Sequence, residues 1–236
     1  MIARKYDLAI ISPMPRSARL TIVNTPHHVF HRALKGRVLF SSDKDYRVYL
    51  DMLQIRARQY KVDILAYCLM RDHVNILAVP HTKVGLARSI GRTHFSYTQY
   101  LNSRRKKTGP LWRNRFQSCA LGDDMVRTVA QYIECQPIYD KRLRKAEKYP
   151  WSSASAHISG IDESGVLALD VWPPKRNRKQ WSEILAKKLD TDTCVKIATY
   201  TQTGRPLGST QFIDMLEKKY RRRLRPLPVG RPPLEE

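Results

Sequence analysis

VDILAYCLM at residues 62–70 and HVNILAVP at 73–80 are separated by nothing but Arg71-Asp72. Two apolar, β-prone runs with a two-residue joint read as adjacent antiparallel strands closed by a tight turn, both central in a sheet. Upstream, DKDYRVYLDMLQIRARQY (43–60) sets Tyr46, Tyr49, Leu50, Leu53 and Ala57 at three- and four-residue steps behind Asp43. That spacing predicts an amphipathic helix with Asp43 as its N-cap. Further upstream, RLTIVNTPHHVFH (19–31) predicts a first strand interrupted near Pro26. Downstream, residues 83–103 predict a second helix, ending in the basic run and turn SRRKKTGP, and RFQSCALG (115–122) predicts a strand. DDMVRTVAQYIECQPIYD then opens with two acids, suited to a helix N-terminus, and carries Met125, Val126, Val129 and Ile133 on one face. The order β-α-β-β-α-β-α is that of a split βαβ unit. It predicts an α+β fold with a ferredoxin-like antiparallel sheet, helices on one face and one added helix.

The rest of the chain divides around that unit. Residues 1–15 read as an N-terminal tail and 16–155 as the main domain. Residues 156–180, with Gly160, Gly165, Pro173, Pro174 and the basic KRNRK, read as a linker. Residues 181–236 predict a small helical, basic unit built from WSEILAKKL, TDTCVKIATY and STQFIDMLEKKYRRRLR. This pattern is compatible with a helix-turn-helix whose closing helix presents Arg221, Arg222, Arg223 and Arg225 to phosphates.

Among 236 residues, 43 Lys and Arg face 21 Asp and Glu, a formal net charge of +22. A surplus of that size repels itself and points to a polyanionic partner, nucleic acid first. No stretch approaches the ~20 consecutive apolar residues of a membrane span, and the apolar patch near the start is too short and Pro-broken for a signal peptide. A cytoplasmic, nucleoid-associated protein is expected. Cys68, Cys119, Cys135 and Cys194 lie far apart with no C-x-x-C, so reduced, buried thiols are expected instead of a zinc knuckle or disulfide framework.

Two segments can carry chemistry. In a strand, residues two apart share a face, so His73 and Asn75 project together and could hold a divalent cation; a buried structural histidine gives the same pattern. In AQYIECQP, Tyr132 and Gln136 lie one helical turn apart, a phenol beside an amide, although Pro137 could end the helix at Gln136.

The ordered set of motifs is more specific than its parts. PRSARL, PHHV, YCLMRDHVNIL, TGPLWRNRF, RTVAQYIECQP, YPWSSASAH and the C-terminal TGRPLGSTQFIDMLEKKYRRRLRP and GRPP together resemble the REP-associated tyrosine transposases of the HUH single-tyrosine superfamily. The resemblance implies nicking and strand transfer on single-stranded, hairpin-bearing DNA. It implies Tyr132 as the nucleophile that forms a 5′-phosphotyrosine, and Mg²⁺ or Mn²⁺ held by His73, Asn75 and Gln136. A phenol suits this chemistry because its phenolate leaves well enough for the covalent step to reverse. Asn75 stands where the family pattern has a second histidine; an amide oxygen remains a legitimate ligand for a hard cation. The alternative is a catalytically impaired descendant that binds hairpin DNA.

Neighbouring candidates complete the reading. One of His27, His28 and His31 could approach the metal, while Tyr97 and Tyr100 read as packing or DNA contacts. Candidate DNA-binding residues are Arg104, Arg105, Lys106 and Lys107 in a basic loop, Arg113 and Arg115 between Trp112 and Phe116, and Arg205, Arg221, Arg222 and Arg223 in the C-terminal unit. Gly-Arg-Pro at 204–206 and 230–232 could insert into a minor groove. The expected partner is single-stranded or hairpin DNA, with the protein a monomer or homodimer. An RNA-binding domain is the remaining alternative, but it lacks RNP-type aromatic strands.

Overall fold

The computed structural model describes residues 19–173 and 178–226. Its order is β1 (His27–Arg32), α1 (Asp43–Gln59), β2 (Val62–Met70), β3 (His73–Pro80), α2 (Gly85–Arg105), β4 (Gln117–Ala120) and α3 (Asp123–Glu134). The short turns α4 (Gln136–Tyr139) and α5 (Ala154–Ser159) follow, then α6 (Arg178–Ala186), α7 (Thr191–Thr203) and α8 (Thr210–Tyr220). The sheet runs β2-β3-β1-β4 with every neighbour antiparallel, which is the split βαβ arrangement.

Three local expectations shift. The first strand does not cross Pro26; it starts at His27, because Pro26 has no N–H to give to a ladder. The N-cap of α1 is Ser42, not Asp43, and Asp45 closes a capping box with it. The carboxylate of Asp45 also accepts from Ser41 and pairs with Arg104 at 2.8 Å. The added helix breaks at Cys135 and restarts as α4 with Pro137 in its first turn, where a missing N–H costs nothing.

The sheet is covered on both faces, not one. Alternation sends Val29, Ile64, Leu69, Val74 and Ile76 against α1 and α2, where Tyr49, Leu53, Leu86 and Tyr97 complete one core. Cys68, Met70, Leu77 and Cys119 point the other way, against Val129 and Ile133 of α3. Trp181, Leu185, Cys194 and Ile197 of α6 and α7 belong to this second core. Residues 156–180, expected as a linker, include backbone pairing between Ile64 and Leu167 and the buried Val166 and His157. Residues 1–15, KRNRK in part and the second Gly-Arg-Pro lie outside the described residues. All four cysteines are buried and free, and among the described residues no helix is long and apolar enough to cross a membrane.

Candidate active site

The site forms on the sheet face that carries α3. Alternation along β3 puts His73 and Asn75 on that face, and along β1 it puts His28, Phe30 and Arg32 there, with Arg32 opposite His73 and Phe30 opposite Asn75 in the register. Tyr132 descends from α3 to meet the edge of His28, ring centroids 5.8 Å apart.

His73 is nearly fully buried, and its Nδ1 lies 2.8 Å from Asp72 Oδ1. That hydrogen bond, more than any other influence, holds the Asp72 carboxyl down at about 2. With the Nδ1 proton committed to a carboxylate, Nε2 presents its lone pair, and this atom is buried without a hydrogen-bond partner. A carboxylate orienting one imidazole nitrogen while the other is left bare is the usual arrangement around a metal-binding histidine. The residues therefore fit a divalent cation, with one imidazole and amide oxygens as donors. Among the described residues no three His, Cys, Asp or Glu side chains converge.

Gln136 keeps its alignment with Tyr132 despite the break. Its Nε2 donates to the Tyr132 carbonyl at 3.0 Å, which leaves Oε1 as the outward end of the amide. The Tyr132 phenol is pushed up to about 12, first by burial, while the Gln136 side chain and the Arg32 guanidinium pull it the other way. Arg32 Nε is itself buried and without a hydrogen-bond partner. Arg32 and Phe30 were missed by the sequence reading, though a strand-face count from His28 would have found both.

Of the three histidines near the first strand, His28 is the one in the site. Its Nε2 is 3.0 Å from Asn75 Oδ1 and its Nδ1 is 2.7 Å from the Thr201 hydroxyl of α7. Burial holds His28 down at about 4, so it carries one proton at neutral pH. Thr201 also donates to the Ile197 carbonyl at 2.8 Å. When it does, His28 must give its Nδ1 proton to Thr201, Nε2 becomes an acceptor, and Asn75 satisfies it by turning its NH₂ inward and its oxygen out. In the opposite arrangement Nε2–H donates to Asn75 Oδ1, and that oxygen is used up. His27 and His31 are committed elsewhere. His27 donates to the Thr25 carbonyl and accepts from the Ile22 N–H, and His31 bonds to His94.

The candidate cations separate into two groups. Arg104 bonds Ser41, Ser42 and Asp45, and Arg105 bonds the Val38 carbonyl and Ser41, so both hold the start of α1 against the end of α2. Lys106, Lys107 and Arg113 are exposed at the turn beyond. Arg115, Arg205, Arg222 and Arg223 line a groove of about 610 Å³ along the outer edge of β4, with Arg19 and Thr201 also in its wall. Arg221 is exposed at the αL position that ends α8. Arg225 is paired with Asp214 and Glu217. Tyr97 is a packing residue, its hydroxyl donating to the Leu39 carbonyl.

The sequence from residue 23 to 136 matches the family model described as "Transposase IS200 like". Comparison with curated proteins finds no match. Among solved structures, a REP-associated tyrosine transposase bound to a REP hairpin aligns with a TM-score of 0.55 at 13% identity, covering 75% of this chain and 96% of its own. A candidate transposase from Deinococcus radiodurans R1 aligns at 0.36, with 19% identity over 52% of this chain and 98% of its own. A bacterial tRNA(His) guanylyltransferase-like protein in complex with GTP aligns at 0.34, with 11% identity, 52–53% of this chain being the extent of both lesser matches and 72% of the guanylyltransferase being covered.

Proposed function

Since the chain carries an IS200-like transposase domain over residues 23–136, we propose that it nicks and rejoins single-stranded, hairpin-bearing DNA with Tyr132 as nucleophile. One observation carries the reading: Tyr132, the unpartnered Nε2 of His73, and the amides of Asn75 and Gln136 belong to one sheet face. The hairpin-bound protein of the same fold supports the substrate class, and the groove along β4 offers a cationic path for the strand.

In the forward step the Tyr132 oxygen attacks the phosphorus, a Tyr–O–P bond forms, and the P–O3′ bond breaks. The phenol proton is lost to solvent, and the departing 3′ oxygen takes one up as a free hydroxyl. Attack by a 3′-hydroxyl on the phosphotyrosine reverses this and joins strands. Arg32 lies where a guanidinium can offset charge on the phosphoryl oxygens and favour the phenolate. His73, Asn75 and Gln136 would hold Mg²⁺ or Mn²⁺, which supplies Lewis-acid polarisation of a non-bridging oxygen when bound. Asp72 keeps His73 in the liganding tautomer, and Thr201, through His28, sets whether Asn75 offers its oxygen.

The test is incubation with labelled single-stranded hairpin oligonucleotides in Mg²⁺ or Mn²⁺, resolved on a denaturing protein gel. A covalent adduct that disappears in Tyr132→Phe and with chelator is expected. The contact between Asn75 Oδ1 and His28 favours a second reading, a hairpin-binding protein that does not cut; binding without any adduct would establish that reading instead.

A further inference from the structure

On the opposite sheet face lies a second cavity, of about 470 Å³, between α2 and the 110–116 loop. Trp112, Phe95, Phe116 and Gly91 line it, with Arg19 and Arg115 at its rim. This is within the ~300–1,000 Å³ of small-ligand sites, and its chemistry is aromatic walls with cationic edges.

Trp112 is held like a fixed plate. Its indole N–H donates to the His94 carbonyl at 3.2 Å and to Thr98 at 3.1 Å. His31 and His94 stack on it at 4.5 and 4.1 Å, and their centroids are only 4.7 Å apart. Rings on opposite faces of one indole could not lie that close, so both histidines back the same face, and both line the cavity beside Trp112. The backing is itself locked by a one-way chain. The Tyr49 hydroxyl donates to His94 Nε2, His94 Nδ1–H donates to His31 Nδ1, and His31 Nε2–H donates to the Asn114 carbonyl. Burial disfavours a second proton on either ring. Phe95 stands 55% exposed on α2, with its ring in the cavity wall. One turn earlier, Gly91 leaves open space where a Cβ would be.

The cavity shares Arg19, Asn114, Arg115 and Phe116 with the β4 groove, which reaches Thr201 and hence His28 on the catalytic face. Arg19 lies flat over Phe116, 3.6 Å from its centroid, so the junction itself joins a cation to an aromatic ring. We propose that this cavity is a base slot, taking one unpaired nucleobase against Trp112 and Phe95 while Arg19 and Arg115 hold the flanking phosphates. The strand would run from Tyr132 along the β4 edge and end with a stacked base on the far side of the sheet. The proposal rests on the DNA reading above and assigns that reading a stacking subsite.

The test uses two labelled 16-mers followed by fluorescence anisotropy, (dT)16 and a strand of the same length with abasic tetrahydrofuran units. Wild-type protein is expected to bind (dT)16 roughly tenfold tighter than the abasic strand, the worth of about one stacked base. Gly91→Leu plugs the slot from a helical position with room for the side chain, and should bring that ratio close to one while leaving abasic binding unchanged. Phe95→Ala, at an exposed position, should lower the ratio by several-fold. An unchanged ratio in Gly91→Leu overturns the slot, as does equal wild-type binding of both strands, and either leaves the DNA reading standing. No binding of either strand or of a hairpin overturns both.

Discussion

Acidifying from pH 7 to pH 5 is expected to remove about 4 kcal/mol of stability through two histidines. His27 and His28 are essentially inaccessible to water, and burial holds each down at about 4, against an ordinary value of 6.5. For His27 the geometry gives an independent reason. Its Nδ1–H donates to the Thr25 carbonyl at 2.7 Å while Nε2 accepts from the Ile22 N–H at 3.2 Å, so a second proton would set two donors face to face. A depressed histidine means that the unfolded chain takes up the proton first. The stabilisation is therefore complete above pH 6.5 and is lost as pH falls towards 4. At pH 5 each such group costs the fold about 2 kcal/mol, and the hydrogen-bonded His31–His94 pair adds in the same direction. Against a total of ~5–15 kcal/mol this is a large fraction. The Asp72 and Asp45 carboxyls are depressed below their ordinary range, so their contributions fade only below about pH 4, outside the window. The assay is urea unfolding by circular dichroism at pH 7, 6 and 5 in high salt. Salt screens the self-repulsion of the +22 charge but not the burial of an imidazolium. His27→Gln keeps a donor and an acceptor but does not titrate, and should remove about 2 kcal/mol of the change. A midpoint that stays flat from pH 7 to 5 would refute the reasoning.

Four further outcomes are expected. Thr201→Val leaves His28 without a partner for Nδ1–H, favours the tautomer that occupies Asn75 Oδ1, and should raise the metal concentration for half-maximal adduct formation by about tenfold or more. Asn75→His should increase metal-dependent cleavage, measured as adduct per minute; no gain would argue against a site that is merely weakened. Glu134→Gln replaces a buried carboxylate that lies 2.6 Å from His157 Nδ1 and accepts from Trp181 at 2.7 Å, and should cost about 1–3 kcal/mol in denaturant unfolding. Gly208→Ala would press a Cβ to 3.0 Å from the Gly122 backbone, separating β4 from the turn before α8, and should lower the melting temperature by several degrees.

Periodicity and turn chemistry made the βαββαβ order readable. The joint at Arg71-Asp72 is the turn expected, and the apolar steps in 43–60 give the helix found over 43–59. The placement of His73 and Asn75 followed from strand alternation, and the resemblance nominated Tyr132 and Gln136. What escaped the sequence was assembled across the chain. Thr201 meets His28 from 173 residues away, and no local pattern marks that contact. Arg104 and Arg105 read as a basic loop because their acceptors, Asp45, Ser41 and the Val38 carbonyl, lie about 60 residues earlier in the sequence. The second core is completed by α6 and α7, whose apolar residues looked sufficient for a unit of their own.

The Glu134 carboxylate links the chemistry to the carboxy-terminal helices in a way that bears on inheritance. Glu134 lies two residues past Tyr132, and its oxygens are occupied by Ser153, His157 and the indole of Trp181, while neighbouring Gln131 donates to the Ile184 carbonyl. A recombinant that exchanges everything after residue 173 for another protein's tail would thus take the Trp181 indole away from Glu134 Oε2 and strip Leu185, Cys194 and Ile197 from the core. Under the DNA reading proposed above, substitutions that disturb none of this packing are those on the exposed surface of α8 and at its Arg-rich end. The inner faces of α6 and α7 must descend together with the helix that carries Tyr132.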